Sequence, residues 1–327
     1  MLRYSFVVMA IAAGATALGA NAQAAEPKSS YPTRSVRIVV PFAPGGSDVA
    51  ARMLAQRLGE RLGQTFVIDN RPGAAGVLGT EIVAKAPPDG YNLLFATASF
   101  AVTAVVYKKL SYDPLKDFAA VASLGSVPFV LITHPSLPAT TVRQFVALAK
   151  ARPGELNYGS PGAGGIGHLA HVLFAKHTGI RVTHVPYKGT GPAVTALLIG
   201  EIQWMMPNLI GALPQVQAGK VKALAVASSA RSPLAPEIAT MKEAGVRDVE
   251  MGTWYGVVAP AGTPDAVVRL LNREIGALLE TKAFRDQLAT RGIVAQVGSP
   301  EQFSAFIRAE MDRWGSVARE AGLSEMN

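Results

Sequence analysis

One stretch constrains the chain more than any other: Pro41-Phe42-Ala43-Pro44-Gly45-Gly46-Ser47-Asp48. It follows a continuous β-type run, Val36 to Val40, and leads into an amphipathic helical pattern from Val49 to Leu62. The order strand, glycine turn, helix places the turn at the carboxyl end of a strand, the edge where open α/β sheets bind ligands. Gly45 and Gly46 let the backbone come close to a ligand, and the first amides of the helix have no partner within it. Those amides and the helix dipole suit an anion such as a carboxylate or phosphate. The plainer alternative is an ordinary turn in which Ser47 or Asp48 caps the helix.

The pattern then repeats. Thr65 to Ile68 reads as a strand, the glycine loop Asn70 to Gly76 follows, and a helix runs from Val77 to Ala86. Pro87-Pro88-Asp89-Gly90 is a hard turn. Tyr91 to Ala96 is a third strand, ending in a hydroxyl-bearing loop with Thr97 and Ser99. This βαβαβ order predicts a parallel sheet with its ligand loops on one edge. Tyr112 to Phe118 reads as a loop, and Val127 to Ile132 as a strand crossing into a second domain. Beyond it come a helix from Thr141 to Lys150, a short strand ending at Tyr158, and a second glycine-rich helix start, Ser160-Pro161-Gly162-Ala163-Gly164-Gly165-Ile166-Gly167-His168. The strand Arg181 to Val185 ends in Pro186-Tyr187-Lys188-Gly189 and is followed by a helix from Thr190 to Ile199. Further strands are predicted at 202–206 and 221–227, with a returning strand from Thr253 to Ala259. Three helical segments end the chain, at 265–280, 283–291 and 300–320. Two crossings between two βα domains would form a hinge over a cleft. The expected division is residues 26–127 with 255–327 as domain 1, and 128–254 as domain 2.

Residues 1–25 stand apart, with a basic Arg3, an apolar run from Phe6 to Leu18 and a small-x-small site at Ala22-Gln23-Ala24. This is the pattern of a cleaved secretory signal peptide. The chain has no cysteine, so it holds no disulfide and no lipid on an N-terminal cysteine. A mature chain of this length buries enough surface to fold without such staples. No later stretch reaches the ~20 apolar residues of a membrane helix, so a soluble periplasmic protein is expected. The formal net charge is +8, or +7 without Arg3, which favours anionic ligands. Lys and Arg are scattered singly with no interleaved aromatics, so nucleic acid is not an expected partner.

Gly162-x-Gly164-x-x-Gly167 spells a dinucleotide fingerprint. The acidic residue it requires at the end of the next strand is missing: there is no Asp or Glu between Gly162 and Ile199. The stretch therefore reads as a second anion-binding helix start, or as a packing turn, with no cofactor. His168, His171 and His177 lack a third ligand at a familiar spacing, so no metal is expected. His168 is better placed as a donor near the ligand or as a packed cap. Ser160 lacks the glycine of a nucleophile elbow, because Tyr158 stands there. Tyr187 forms a ligand wall or core, and Trp254 and Tyr255 read as hinge packing.

On these residues the chain resembles the Bug receptors, the periplasmic solute-binding components of tripartite tricarboxylate transporters. The likeness runs from about Tyr31 to Gly322. It rests on Tyr31-Pro32, Val40-Pro41-Phe42 with Gly45-Gly46 and Asp48, Asn70-Arg71-Pro72-Gly73 and Pro88-Asp89-Gly90-Tyr91. It continues through Tyr112-Asp113-Pro114, Asp117-Phe118, Val185 to Gly189, Trp254-Tyr255-Gly256 and Ala259 to Pro264. The resemblance implies an α/β Venus-flytrap fold of type II, each domain a βα sheet with helices on both faces. It implies a non-catalytic, monomeric receptor that closes on a small organic acid and delivers it to the transporter's membrane subunits. In such receptors the loops matching Phe42–Asp48 and Ser160–His168 clamp carboxylates from opposite sides. The implied ligand set is Phe42, Ala43, Gly45, Gly46, Ser47, Asp48, Thr97, Ser99, Ser160, Gly162, Gly164, Gly165, His168 and Tyr187. The chain departs from the family pattern in three ways. Its first loop is one residue shorter. Ala163, Gly165 and Gly167 stand where Asn and Ser or Thr are common, and Pro207 stands where Asp is common. The lost hydroxyls leave room for an aromatic or less hydroxylated acid in place of citrate. Two rivals remain at this level: an exported enzyme using Ser160 or His168, and a ligand sensor built on the same fold.

Overall fold

Val36, Ile38 and Val40 are fully buried in one core cluster and Val39 in another, so the first strand has apolar cover on both faces and must lie inside a sheet. It is β1 (Val36–Val40), leading to helix α1 (Gly46–Leu62), β2 (Phe66–Asn70), α2 (Val77–Ala84), β3 (Asn92–Thr97) and α3 (Ala98–Val106). Then come β4 (Phe118–Pro128), β5 (Val130–Thr133), α4 (Val142–Ala151), β6 (Asn157–Ser160), α5 (Ile166–Thr178), β7 (Thr183–Pro186) and α6 (Thr190–Leu198). Next are β8 (Trp204–Met205), α7 (Leu209–Gln217), β9 (Lys222–Val226) and β10 (Gly252–Pro260). The order closes with α8 (Asp265–Glu280), α9 (Lys282–Ala289), β11 (Val294–Ala295) and α10 (Pro300–Glu320). These positions come from a computed structural model, which describes residues 31–320, 322–324 and 326. The expected signal peptide lies outside the described residues. Tyr31 onward forms one compact unit.

Two sheets carry two lobes. The first is ordered β11-β4-β10-β3-β1-β2 and the second β7-β6-β8-β5-β9. The expected parallel core is present: β1 pairs in parallel with β2 and β3, and β6 with β7 and β8. The sheets as wholes are mixed, which corrects the parallel expectation. Strand β10 returns from the second lobe and inserts antiparallel between β3 and β4, while β5 runs antiparallel to β8 and β9. Periodicity within one segment cannot reveal a pairing between residues that lie about 150 positions apart.

Four elements escaped the sequence reading, the two-residue β11 among them. Strand β4 is eleven residues long, and its Ala-rich start, Ala119-Ala120-Val121-Ala122, has weak strand character. The loop expected at Thr97–Ser99 is the start of α3, with Thr97 as N-cap accepting a hydrogen bond from the Ser99 amide at 3.2 Å. Helix α7 carries Pro214 in its interior, which masked it. The single crossing strand expected at 127–132 is split at Phe129 into β4 and β5.

The crossing is a hydrogen-bonded waist. The Phe129 amide donates to the Met251 carbonyl at 3.0 Å, the Met251 amide to Ala227 at 2.8 Å, and the Ala227 amide to Phe129 at 2.8 Å. In β10 the side chains alternate: Tyr255, Val257 and Ala259 join one core cluster, and Trp254 and Val258 the other. Among the described residues no helix is long and apolar enough to cross a membrane.

Candidate functional site

Four helices begin at glycine N-caps with no side-chain hydrogen bond: α1 at Gly45, α2 at Gly76, α5 at Gly165 and α6 at Gly189. This corrects the alternative in which Ser47 or Asp48 caps α1. Asp48 is turned back along its own helix, where both carboxylate oxygens take Arg52, at 2.9 and 3.0 Å. At α1, α5 and α6 the bare starts present the positive ends of three dipoles, and of their first amides that of Ile166 is taken by the Ser99 hydroxyl across the cleft.

They meet around one cavity of about 40 Å³. Its wall holds Ser47 from α1, Gly165-Ile166-Gly167 from α5 and Thr190 from α6, with Thr97 and Ser99 at the start of α3 and Asn208 capping α7. Phe42, Ala75, Phe129, Met206 and Tyr255 supply apolar surface. Among the described residues no Lys, Arg, His, Asp or Glu lines it. An anion there would be balanced by amides and helix dipoles alone, inside a lining that excludes most water.

Of the residues singled out by sequence, the structure brings Phe42, Ser47, Thr97, Ser99, Gly162 and Gly165 into this wall. The others stand behind it. The Ala43 amide donates across the lobes to the Lys188 carbonyl at 2.9 Å. A Cβ on Gly45 would lie 2.9 Å from the Gly191 nitrogen, so this glycine permits lobe-to-lobe contact. Gly46 faces the Asn208 side chain. Gly164, at φ +72°, sits against Tyr107, whose hydroxyl donates to the Ala163 carbonyl at 2.9 Å. Tyr187 donates to Glu201 at 2.8 Å and lines an outer hollow of about 230 Å³ that shares Ala75, Pro161 and Gly162 with the inner cavity. The Ser99 hydroxyl accepts from the Ile166 amide at 3.2 Å, another bond across the cleft.

Beneath the second glycine loop lies a cluster that the sequence did not reveal as such. His168 and His184 are stacked with centroids 4.0 Å apart, and Tyr158 stacks on His171 at 4.5 Å and on His184 at 4.9 Å. His168 Nδ1 accepts from the Gly164 amide at 3.1 Å. His171 Nδ1 donates to the Gly167 carbonyl at 2.5 Å, and its Nε2 accepts from the Met206 amide at 2.8 Å. Both nitrogens of His171 are thus committed in its neutral form. Burial lowers the pKa of His168 to about 4. Burial, and then the neighbouring histidines, lower that of His171 to about 3 against the opposing pull of the Gly167 carbonyl. His184 is likewise lowered to about 3, by burial and then by His168.

Ser160 belongs to this support. It is fully buried, 2.6 Å from His184 Nε2, 3.1 Å from the Gly162 carbonyl and 3.3 Å from the Gly162 amide. The set is satisfied when the hydroxyl donates to the Gly162 carbonyl and accepts from both N–H groups. The Ser160 hydroxyl is thereby tied into the support of the second glycine loop. Among the described residues no group of three or more His, Asp or Glu side chains could hold a metal ion.

A wider groove of about 980 Å³ runs beside the crossing strands, between residues 227–234 and α10. Its Arg231 and Arg313 are already paired, with Glu243 at 2.9 Å and Glu310 at 3.5 Å, and it contains no bare helix start. The inner cavity is the candidate site.

Two lobes closed over an uncharged cavity ringed by helix starts define a solute-binding protein. The chain belongs to the tripartite tricarboxylate transporter receptor family, whose model matches residues 50–323. Protein BugT of Bordetella pertussis is 40% identical over 308 residues, covering 93% of this chain and 94% of that protein. The R. palustris protein Rpa4515, solved with adipate, superposes with a TM-score of 0.88 at 38% identity, covering 90% of this chain and 100% of that one. MatC from Rhodopseudomonas palustris, solved with bound malate, gives 0.83 at 34% identity, covering 88% and 99%. The family consists of solute-binding receptors.

Proposed function

We propose that this receptor captures a small organic carboxylate in the inner cavity, in the periplasm, and presents it in the closed form to the membrane subunits of a tripartite tricarboxylate-type transporter. The observation that carries the reading is the convergence of three uncapped helix starts on a wall without a charged side chain. A carboxylate meets that demand, since each of its oxygens accepts several amide bonds and needs no counter-cation. The adipate and malate held by two solved relatives support the same ligand class.

In this reading residues 26–127 with 255–327, and residues 128–254, move as two bodies about the waist at Phe129 and Met251. Ligand bound by both lobes stabilises the closed state, because it touches both sets of amides only there. Phe42, Ser47, Thr97, Ser99, Gly162 and Gly165 form the contact surface. Ala43, Gly45, Gly46, Asp48, Ser160, Gly164, His168 and Tyr187 hold the loops that carry it. The protein acts as a monomer, is exported by residues 1–25, and releases its ligand unchanged. The occupied hydroxyl of Ser160 weighs against the enzyme rival.

A melting screen against mono- and dicarboxylates, aromatic ones included, tests this. A ligand at about 100 times its dissociation constant adds roughly 2.7 kcal/mol of stability. The reading fails if no acid in the set raises the melting temperature, or if the recovered ligand is chemically altered.

A further inference from the structure

Buried polar atoms without partners are rare, and each calls for an explanation. Among the described residues the unpartnered buried side-chain atoms belong to Tyr112, Ser123, Thr133, Trp204 and Tyr255. Of these, Tyr255 alone is a wall residue of the inner cavity. The other polar side chains on the sheet side of that wall are engaged within the protein. Thr97 accepts from the Ser99 amide, Ser99 from Ile166, and Thr253 from the Ala98 amide at 3.3 Å. Asn208 accepts from the Gly211 amide at 2.9 Å.

Tyr255 lies on β10 opposite Thr97, with its ring 5.4 Å from that of Phe95. Phenylalanine would pack against Phe95 equally well, so packing does not account for the hydroxyl. Full burial keeps the phenol protonated, leaving an O–H donor with nothing to donate to. Tyr255 stands on β10, a different element from the three bare helix starts.

Building on the carboxylate reading above, we propose that Tyr255 is the specificity-determining donor of this receptor. Its hydroxyl donates to the second carboxylate of a dicarboxylic acid whose first carboxylate lies on the helix-start amides.

The test compares parent protein and Tyr255→Phe by calorimetric titration with straight-chain diacids of four to eight carbons and the matching monoacids. A hydrogen bond to a charged group is worth a factor of ten or more in affinity. The parent should therefore prefer a diacid over its monoacid, and Tyr255→Phe should lose at least tenfold for the diacid with the monoacid unchanged. The ligand-free variant should melt at or above the parent, since it no longer buries an unpaired donor. Equal affinity of the variant for diacids, an equal loss for both acid series, or a lower melting temperature without ligand overturns the assignment while leaving the carboxylate reading intact. Failure of every acid to bind the parent overturns both.

Discussion

The two glycine-rich helix starts look alike in sequence and are held in place by opposite means. At α1 the loop is steadied by charge near the surface. Asp48 grips Arg52, Arg52 reaches the Asn70 oxygen at 3.4 Å, and the Asn70 amide returns to the Phe42 carbonyl at 2.9 Å. At α5 the loop rests on a buried stack of neutral rings, with His168 and His171 bonded to its backbone. An amide cradle for an anion needs a rigid support, and the support must not place a competing carboxylate in the cradle. An ion pair behind the wall and a set of uncharged imidazoles are two solutions to that requirement.

The largest expected effect comes from filling a glycine in each loop. Gly164 has a positive φ, and a Cβ there would meet Tyr107 Cε2 at 2.7 Å; at Gly45 it would meet the Gly191 nitrogen at 2.9 Å. Both substitutions hold the lobes apart. Gly45→Val and Gly164→Val should each weaken carboxylate binding about tenfold or more. Gly164→Val should also lower the melting temperature further than Gly45→Val, because it adds backbone strain. Titration and thermal melts check this, and two variants that bind like the parent would show that neither loop takes part in closure.

The next effect sharpens the contrast. Because His168 and His171 titrate near 4 and 3 when folded, the unfolded chain takes up their protons first as acid is added. Their contribution is fully present above the unfolded value of about 6.5 and is lost as the pH falls toward 4. Each buried histidine should cost roughly 1–2 kcal/mol of stability between pH 7 and pH 5. A urea midpoint that stays flat over this range would contradict the neutral-stack account. The first loop contains no histidine and should add nothing to the slope.

The smallest effect is on the charged support. Asp48→Asn removes a pair whose arginine is half exposed, so a stability loss of about 0.5–1 kcal/mol is expected in chemical denaturation. A loss several times larger would mean that the first loop depends on a buried network as the second does.

Much of the fold was legible from local pattern. The apolar run of β1 and the helices α8 and α10 stand where periodicity and turn residues put them. Both glycine loops, one on each lobe, were also legible, because a helix start is a property of a few consecutive residues. The rest of the cavity wall was not. Phe129, Met206 with Asn208, and Tyr255 come from three distant segments, and nothing in their local spacing brings them to one cavity. Tyr255 illustrates the limit: paired with Trp254 in the sequence, it read as hinge packing. Trp254 does pack there, donating to Glu310 at 3.1 Å, while its neighbour on the opposite face of β10 lines the cavity.

By itself the sequence determined the α/β character, the two anion-suited helix starts and the receptor family, because each is written in contiguous residues with fixed backbone preferences. Tertiary structure alone decided how the glycines are used, which hydroxyls face the cavity, and that His168, His171 and His184 form one uncharged stack. Those outcomes depend on which surfaces meet when two sheets, joined by two crossings, fold against each other. Contact of that kind joins residues from segments far apart in the chain, and no local spacing encodes it.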